Sequence, residues 1–524
     1  MMIELLFSGP QLGPTDAPAR DIDFWVRFRH ESGSAEHKIY GFWDGDGQGG
    51  ISGNAFKVRF WPTEAGRWAL AEVYSNAGEL NGQRQGETLT AELSDHPGFW
   101  LVDEASPGRR WYCRSDGSHP YIFGNTHYSF LSGYGPEGKP VGNDIAGDIK
   151  GNARYLKKLR FCLFGDHYPN PTEKPFLDEA GRPTDWGDHS HRPNPKWFHE
   201  RVDLAVRTAC DCDLISDLIL AGPDQEAARA TLRAGHNNGD ATPFLRYIAA
   251  RYGSYPNVWI CLCNEYDIPK TKFVTHEEVI YTEAEIVRFG QIIRGFLPYP
   301  TPVSVHNTPR RGWAGAFDAL PPWNDHQITQ KKVKQIAPAA DNIQKTWANV
   351  QGKGPRNKPT INDELSYQGE GDGHSEGDTV ESHLGAFLGG GYGSSGEKPG
   401  DKLGQYFWGM FDASEHTAVV HLGWLREAIE AHIAFWKMVP DLSVFENLDD
   451  GFRGMAWSGE EYVLGTNAAR EGVAANLPAG MWTVTRYDVM AMAATMLSAQ
   501  ASGRFAFDTP DSRAVLFHFK RNRD

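Results

Sequence analysis

The chain has 524 residues, 40% hydrophobic, 23% charged and 12% aromatic, with a formal net charge of −15. That length asks for two or three domains and allows a large buried core. The excess of 67 acidic over 52 basic residues speaks against nucleic acid or an anionic membrane as the main partner.

The first segment, Met1 to Pro10, has no basic start, and Glu4 and Pro10 break its apolar run. No signal peptide is expected there, and a cytoplasmic location is the expectation. No stretch approaches the roughly 18 uncharged apolar residues of a membrane span. The six cysteines form no CxxC pair and are expected to be free thiols.

Residues 1–108 read as all-β. Ile22, Phe24, Val26 and Phe28 alternate with Asp23, Trp25, Arg27 and Arg29, and Phe56, Val58 and Phe60 alternate with Lys57, Arg59 and Trp61. Short alternating runs separated by Gly, Asp and Asn predict a β-sandwich. Asp44 to Asp46 lacks the rest of a calcium-loop pattern and is expected to be a turn.

From about residue 109 apolar strands alternate with helical stretches, as in a parallel sheet. Eight strand candidates follow: Tyr121 to Asn125, Phe161 to Phe164, Leu214 to Leu220, Val258 to Cys263, Val303 to His306, His326 to Gln330, Pro359 to Glu364, and a Gly-rich eighth from Ala386 to Gly393. Helices are expected between them, near 144–159, 196–211, 239–252, 278–296, 338–350, 378–388 and 424–437. Eight such units over 109–438 predict a (β/α)8 TIM barrel. Residues 439–524 return to short strands and predict a small C-terminal β-sandwich.

Two of these strands finish in a glutamate. Val258 to Cys263 leads into Asn264-Glu265, and Thr360 to Asp363 leads into Glu364. Barrel strands are parallel, so both glutamates are expected at the end where barrel enzymes keep catalytic groups. Paired carboxyls are what glycosidic cleavage needs, one to protonate the leaving oxygen and one to attack the anomeric carbon. Asp363 competes with Glu364, since neighbours in a strand face opposite ways and only one can look into the mouth.

Other expected strand ends supply candidate sugar-binding groups: His127 and Tyr128, Asp166 and His167, Asn264, His306, Gln327 with Gln330, Tyr392 and Trp408. His189 and His191 lie in a Pro-rich loop without a third ligand, so no metal is expected. No cofactor motif is present.

The order of these segments resembles the clan-A glycoside hydrolases, and more closely the apiosidase-like family. The matching stretches are Phe123-Gly124-Asn125-Thr126-His127-Tyr128, Asn264-Glu265, the Glu364 strand and Gly389-Gly390-Gly391-Tyr392-Gly393. Gly41-Phe42-Trp43-Asp44-Gly45 and Phe56 to Pro62 resemble the sandwich fused ahead of such barrels, and Phe435 to Asp441 opens the small domain that closes them. The resemblance implies Glu265 as acid/base and Glu364, not Asp363, as nucleophile of a retaining hydrolase. The expected partner is a small glycoside or oligosaccharide, cleaved exo, with pentosides among the candidates and the oligomeric state open. Two alternatives remain at this point, an inverting glycosidase and a non-catalytic sugar-binding barrel.

Overall fold

The computed structural model describes residues 2–135, 138–142, 144–165, 168–222, 226–233, 239–268, 280–309, 315–317, 319–349, 354–369, 373–397, 411 and 413–523. Its contacts divide the chain into two compact units. The first comprises 1–101, 128–150 and 160–305, and the second 102–127, 151–159 and 306–524.

The first unit begins with two antiparallel sheets. Ile3–Leu12, Gly53–Phe60 and Phe42–Trp43 make one, and Glu36–Tyr40, Phe24–His30, Gly66–Ser75 and Thr88–Ala91 make the other. Their inner faces meet through aromatic rings, Phe7 edge-on to Phe24 at 5.1 Å and Phe28 stacked on Phe60 at 4.3 Å. This is the sandwich that the alternation of Phe24, Val26 and Phe28 predicted. Asp46 is a turn residue, accepting from Gln48 N and Gly50 N at 2.8 Å each.

Lys57 and Arg59, on the opposite face of Gly53–Phe60, are buried as well. They enter an ion network with two helices, Asp203–Asp211 and Thr242–Tyr252. Arg251 grips Asp203 through Nε at 2.9 Å and Nη2 at 2.8 Å, and Arg59 Nη1 donates to the same carboxylate at 3.1 Å. Arg251 Nη2 and Lys57 Nζ each lie 2.8 Å from an oxygen of Asp44. Burial alone would raise the Asp203 pKa, but the two guanidinium groups hold it far below the carboxylate range.

Asp203→Asn would leave two buried guanidinium groups against a neutral amide. It is expected to destabilise the fold by about 3–5 kcal/mol, read from chemical denaturation at neutral pH. A depressed pKa contributes stability above the unfolded carboxylate value, so this contribution is complete above about pH 4. It is withdrawn as pH falls from there toward the folded value. The wild-type advantage over Asp203→Asn should therefore shrink in acid.

The barrel strands hydrogen-bond into one eight-stranded sheet. In chain order they are Phe123–Thr126, Lys158–Cys162, Ile215–Ile219, Val258–Cys261, Val303–Ser304, Gln327–Thr329, Thr360–Gln368 and Tyr392–Glu397. The sheet order is five, four, three, two, one, eight, seven, six, the cyclic sequence of a nearly closed TIM barrel. The registered neighbours run parallel. The expected helices occur as Ile145–Ala153, a run from Pro195–Trp197 through Asp203–Asp211, Thr242–Tyr252, Glu283–Phe296, Ile336–Ala348, Glu376–Leu388 and Ala418–His432.

Strand eight is displaced from its expected position. Ala386 to Leu388 close the helix Glu376–Leu388, which Ser375 and Asp378 start with a capping box, and the strand begins only at Tyr392. The glycines in this run serve helix packing. A Cβ on Gly385 would lie 2.2 Å from Ile336 O, and one on Gly389 2.6 Å from Ala340 O, both on the helix Ile336–Ala348. The Gly-rich run that composition predicts as strand eight is thus the end of a helix and the turn before the strand.

After the last barrel helix, the second unit ends in two further antiparallel sheets of six and three strands. Phe452, Trp482, Phe517 and Phe519 belong to their shared core, as expected for a C-terminal sandwich. The six cysteines carry no disulfide. Among the described residues no helix is long and apolar enough to cross a membrane.

Candidate active site

Strand four is an uncharged buried run, and its residues Val258 to Cys263 are fully or almost fully buried. Regular pairing ends at Cys261, but the backbone stays bound to its neighbours. Leu262 N donates to Ser304 O at 2.9 Å, and Asn264 N to Ala221 O at 2.9 Å. The Asn264 side chain is fixed as well, because its Oδ1 accepts from Arg160 Nη2 at 2.6 Å. Arg160 is a fully buried residue of strand two and also donates through Nη1 to the Tyr128 hydroxyl at 3.1 Å.

Glu265 follows in a turn closed by Ile268 N on its carbonyl at 3.0 Å. Its φ of +43° lies in the left-handed region that a side chain disfavours. Non-glycine residues held there cost of order 1–3 kcal/mol and cluster at functional sites.

Strand seven carries Glu364 within its span, not at its end. Pairing with strand six stops at Thr329 opposite Asn362. Pairing with strand eight jumps from Asn362↔Gly393 to Ser366↔Ser395, so strand seven takes four steps where strand eight takes two. Strict alternation fails across such a bulge, and Asp363 and Glu364 no longer compete for one direction. Asp363 is fully buried and ion-paired with Lys158 Nζ, and Ser394 Oγ donates to it at 2.7 Å. Glu364 accepts from Gln330 Nε2 at 2.7 Å, with His306 Nε2 3.8 Å from its other oxygen. Gln330 follows strand six and its hydrogen bond orients this carboxylate, with His306, after strand five, nearby.

The remaining candidates separate. His127 follows strand one, fully buried, and burial pushes its pKa down to about 3, so it is a neutral imidazole. Tyr128 is held by Arg160. Gln327 opens strand six, where its amide donates to Ile328 O at 3.1 Å, and Gln330 holds the position toward Glu364. Tyr392 opens strand eight instead of closing it. It is fully buried, accepts from Tyr112 N at 2.9 Å and meets Trp111 edge-on at 5.5 Å, which makes it a core residue. Its candidacy rested on the misplaced strand. Asp166, His167 and Trp408 lie outside the described residues. Arg160 is the group the sequence left unmarked. A lone arginine within Leu159-Arg160-Phe161 was its signal.

Among the described residues one set could offer three metal ligands, Asp103, Cys113 and His119, with ligand atoms within 4.8 Å of one another. His119 Nε2 already bonds Asp103 at 2.9 Å and its ring stacks on Trp436 at 4.5 Å. The set precedes strand one, apart from the strand ends.

The described strands thus form a parallel barrel in which Glu265 follows strand four and Glu364 sits on strand seven. Residues 163–384 match the family model for the apiosidase-like catalytic domain, and residues 2–72 match a domain of unknown function, DUF5060. Residues 163–384 are thus similar to an apiosidase-like catalytic domain, and they lie behind a segment similar to DUF5060. A crystal structure of a candidate glycoside hydrolase from Bacteroides vulgatus ATCC 8482 shares 21% identity at a TM-score of 0.74, over 99% of this chain and 98% of that one. A family 5 glycoside hydrolase from the same organism shares 13% at 0.59, over 81% and 94%. A third structure, a glycoside hydrolase, shares 14% at 0.60, over 82% and 98%. At these identities the likeness establishes the fold. No curated protein matches the sequence.

Proposed function

We propose that the enzyme is a retaining, exo-acting glycosidase of small glycosides or oligosaccharides, with Glu265 as acid/base and Glu364 as nucleophile. The observation that carries this reading is the setting of Glu364. A carboxylate lifted out of strand alternation by a bulge and bonded by Gln330 is aimed, as a nucleophile must be. Its oxygen attacks the anomeric carbon while the leaving oxygen takes the proton of Glu265. Water then loses a proton to Glu265 and attacks the same carbon, releasing the sugar and Glu364. The mechanism calls for carboxyls about 5–5.5 Å apart. The family name points to a pentosyl group, which favours a pentoside.

The test is a panel of aryl glycosides, pentosides included, followed by proton NMR of the first-formed sugar. Retention predicts that the anomer released first has the configuration of the substrate. An inverted first product would replace double displacement by a single displacement through a general base.

A further inference from the structure

Between strand two and its following helix the chain inserts about thirty residues, which include the short hairpin Phe176–Leu177 and Pro183–Thr184. Together with Phe164 and Gly165 at the end of strand two, and Ala227 and Ala228 beyond strand three, this insertion walls a cavity of about 390 Å³. Trp186 lies on its rim. Among the described tryptophans it is the exposed one, at 50% of its surface.

That exposure is not slackness. Trp186 N donates to Thr184 Oγ1 at 3.2 Å. Gly187, next in the chain, lets the backbone approach so closely that a Cβ there would lie 2.3 Å from Thr231 N and 2.7 Å from Ala227 O. Ser190 Oγ then donates to Thr231 O at 2.7 Å. The indole is thus held half-exposed on an anchored turn, at a hydrophobic cost. Lys174 is ion-paired with Asp185, both partly accessible, and the two line the same cavity with Thr184 and Trp186. A flat apolar ring sharing a cavity with charged and hydroxyl hydrogen-bonding groups suits a sugar ring, whose C–H face is apolar and whose rim is hydroxyl.

Strand three alone separates strand two from strand four in the sheet, about 10 Å at the usual strand spacing. Phe164 and Gly165 follow strand two as Asn264 and Glu265 follow strand four, so the cavity lies at the same sheet end as that glutamate. Glu265, as acid, serves the leaving oxygen. We infer that the Trp186 cavity is a binding subsite for a neutral sugar unit on the leaving-group side of the scissile bond, an inference that rests on the acid role proposed for Glu265.

Trp186→Ala and Trp186→Tyr test it. The ratio of kcat/KM for a trisaccharide substrate to that for the glycosyl fluoride of the same sugar is the readout, because fluoride leaves the subsite empty. Trp186→Ala is expected to lower this ratio about tenfold, with Trp186→Tyr recovering most of it. An unchanged ratio in Trp186→Ala overturns the subsite. Binding is read separately by isothermal titration calorimetry, with cellotriose, mannotriose and xylotriose titrated into wild type and Trp186→Ala. If wild type hydrolyses no glycoside the hydrolase reading fails, and the subsite is then judged on binding. A titration lost in Trp186→Ala supports it, and no titration in wild type overturns it.

Discussion

Glu364→Gln is expected to lower kcat on aryl glycosides by at least about 10³-fold, the scale of losing a covalent nucleophile. The side chain keeps its volume, and an amide oxygen can still accept from Gln330, so thermal stability should hardly change. Glu364→Ala gives a sharper result with azide. A small anion entering the space vacated by the carboxylate attacks the anomeric carbon directly and yields a glycosyl azide of inverted configuration. Recovery of activity with that product identifies Glu364 as the attacking group. Asp363→Asn serves as contrast. It breaks a fully buried ion pair with Lys158, so its main effect is expected on stability, about 3–5 kcal/mol. If Asp363→Asn produced the azide-rescued inversion and Glu364→Ala did not, the two neighbours would exchange roles.

That contrast marks what the sequence could carry. Alternating Phe24, Val26 and Phe28, and the uncharged run before Asn264, report on burial of strand faces, which is local and periodic. The barrel strands and both sandwiches follow from such patterns. Glu265 and Glu364 were visible as charges next to apolar strands. The bulge was not, because it is defined by the register of strand seven against Gly393 and Ser395, about thirty residues away. Tyr392 failed for a related reason. Gly385 and Gly389 serve the close approach of two helices, and composition alone does not distinguish that use from a glycine-rich strand. Arg160 and Gln330 matter through partners about 100 and 34 positions distant, Asn264 and Glu364. The left-handed backbone of Glu265 is likewise a property of the folded turn.

Glu265 should give the second large effect. Glu265→Ala is expected to lower kcat about 10²–10⁴-fold on substrates whose leaving oxygen needs a proton. On a dinitrophenyl glycoside the first step no longer needs that proton, so the glycosyl-enzyme forms and accumulates, and KM falls with kcat. Azide then attacks the accumulated intermediate and gives a glycosyl azide of retained configuration, opposite to the product from Glu364→Ala. The alkaline limb of the pH profile, which reports deprotonation of the acid, should disappear. The backbone permits a further separation. At φ +43° an alanine keeps the Cβ that the left-handed region disfavours, whereas a glycine does not. Glu265→Gly is therefore expected to be as inactive as Glu265→Ala yet about 1 kcal/mol more stable in chemical denaturation. Equal stability of the two variants would mean the turn relaxes and the backbone is under no strain. A more stable, inactive glycine variant would show that the fold holds residue 265 in an unfavourable conformation for the sake of where its carboxylate points.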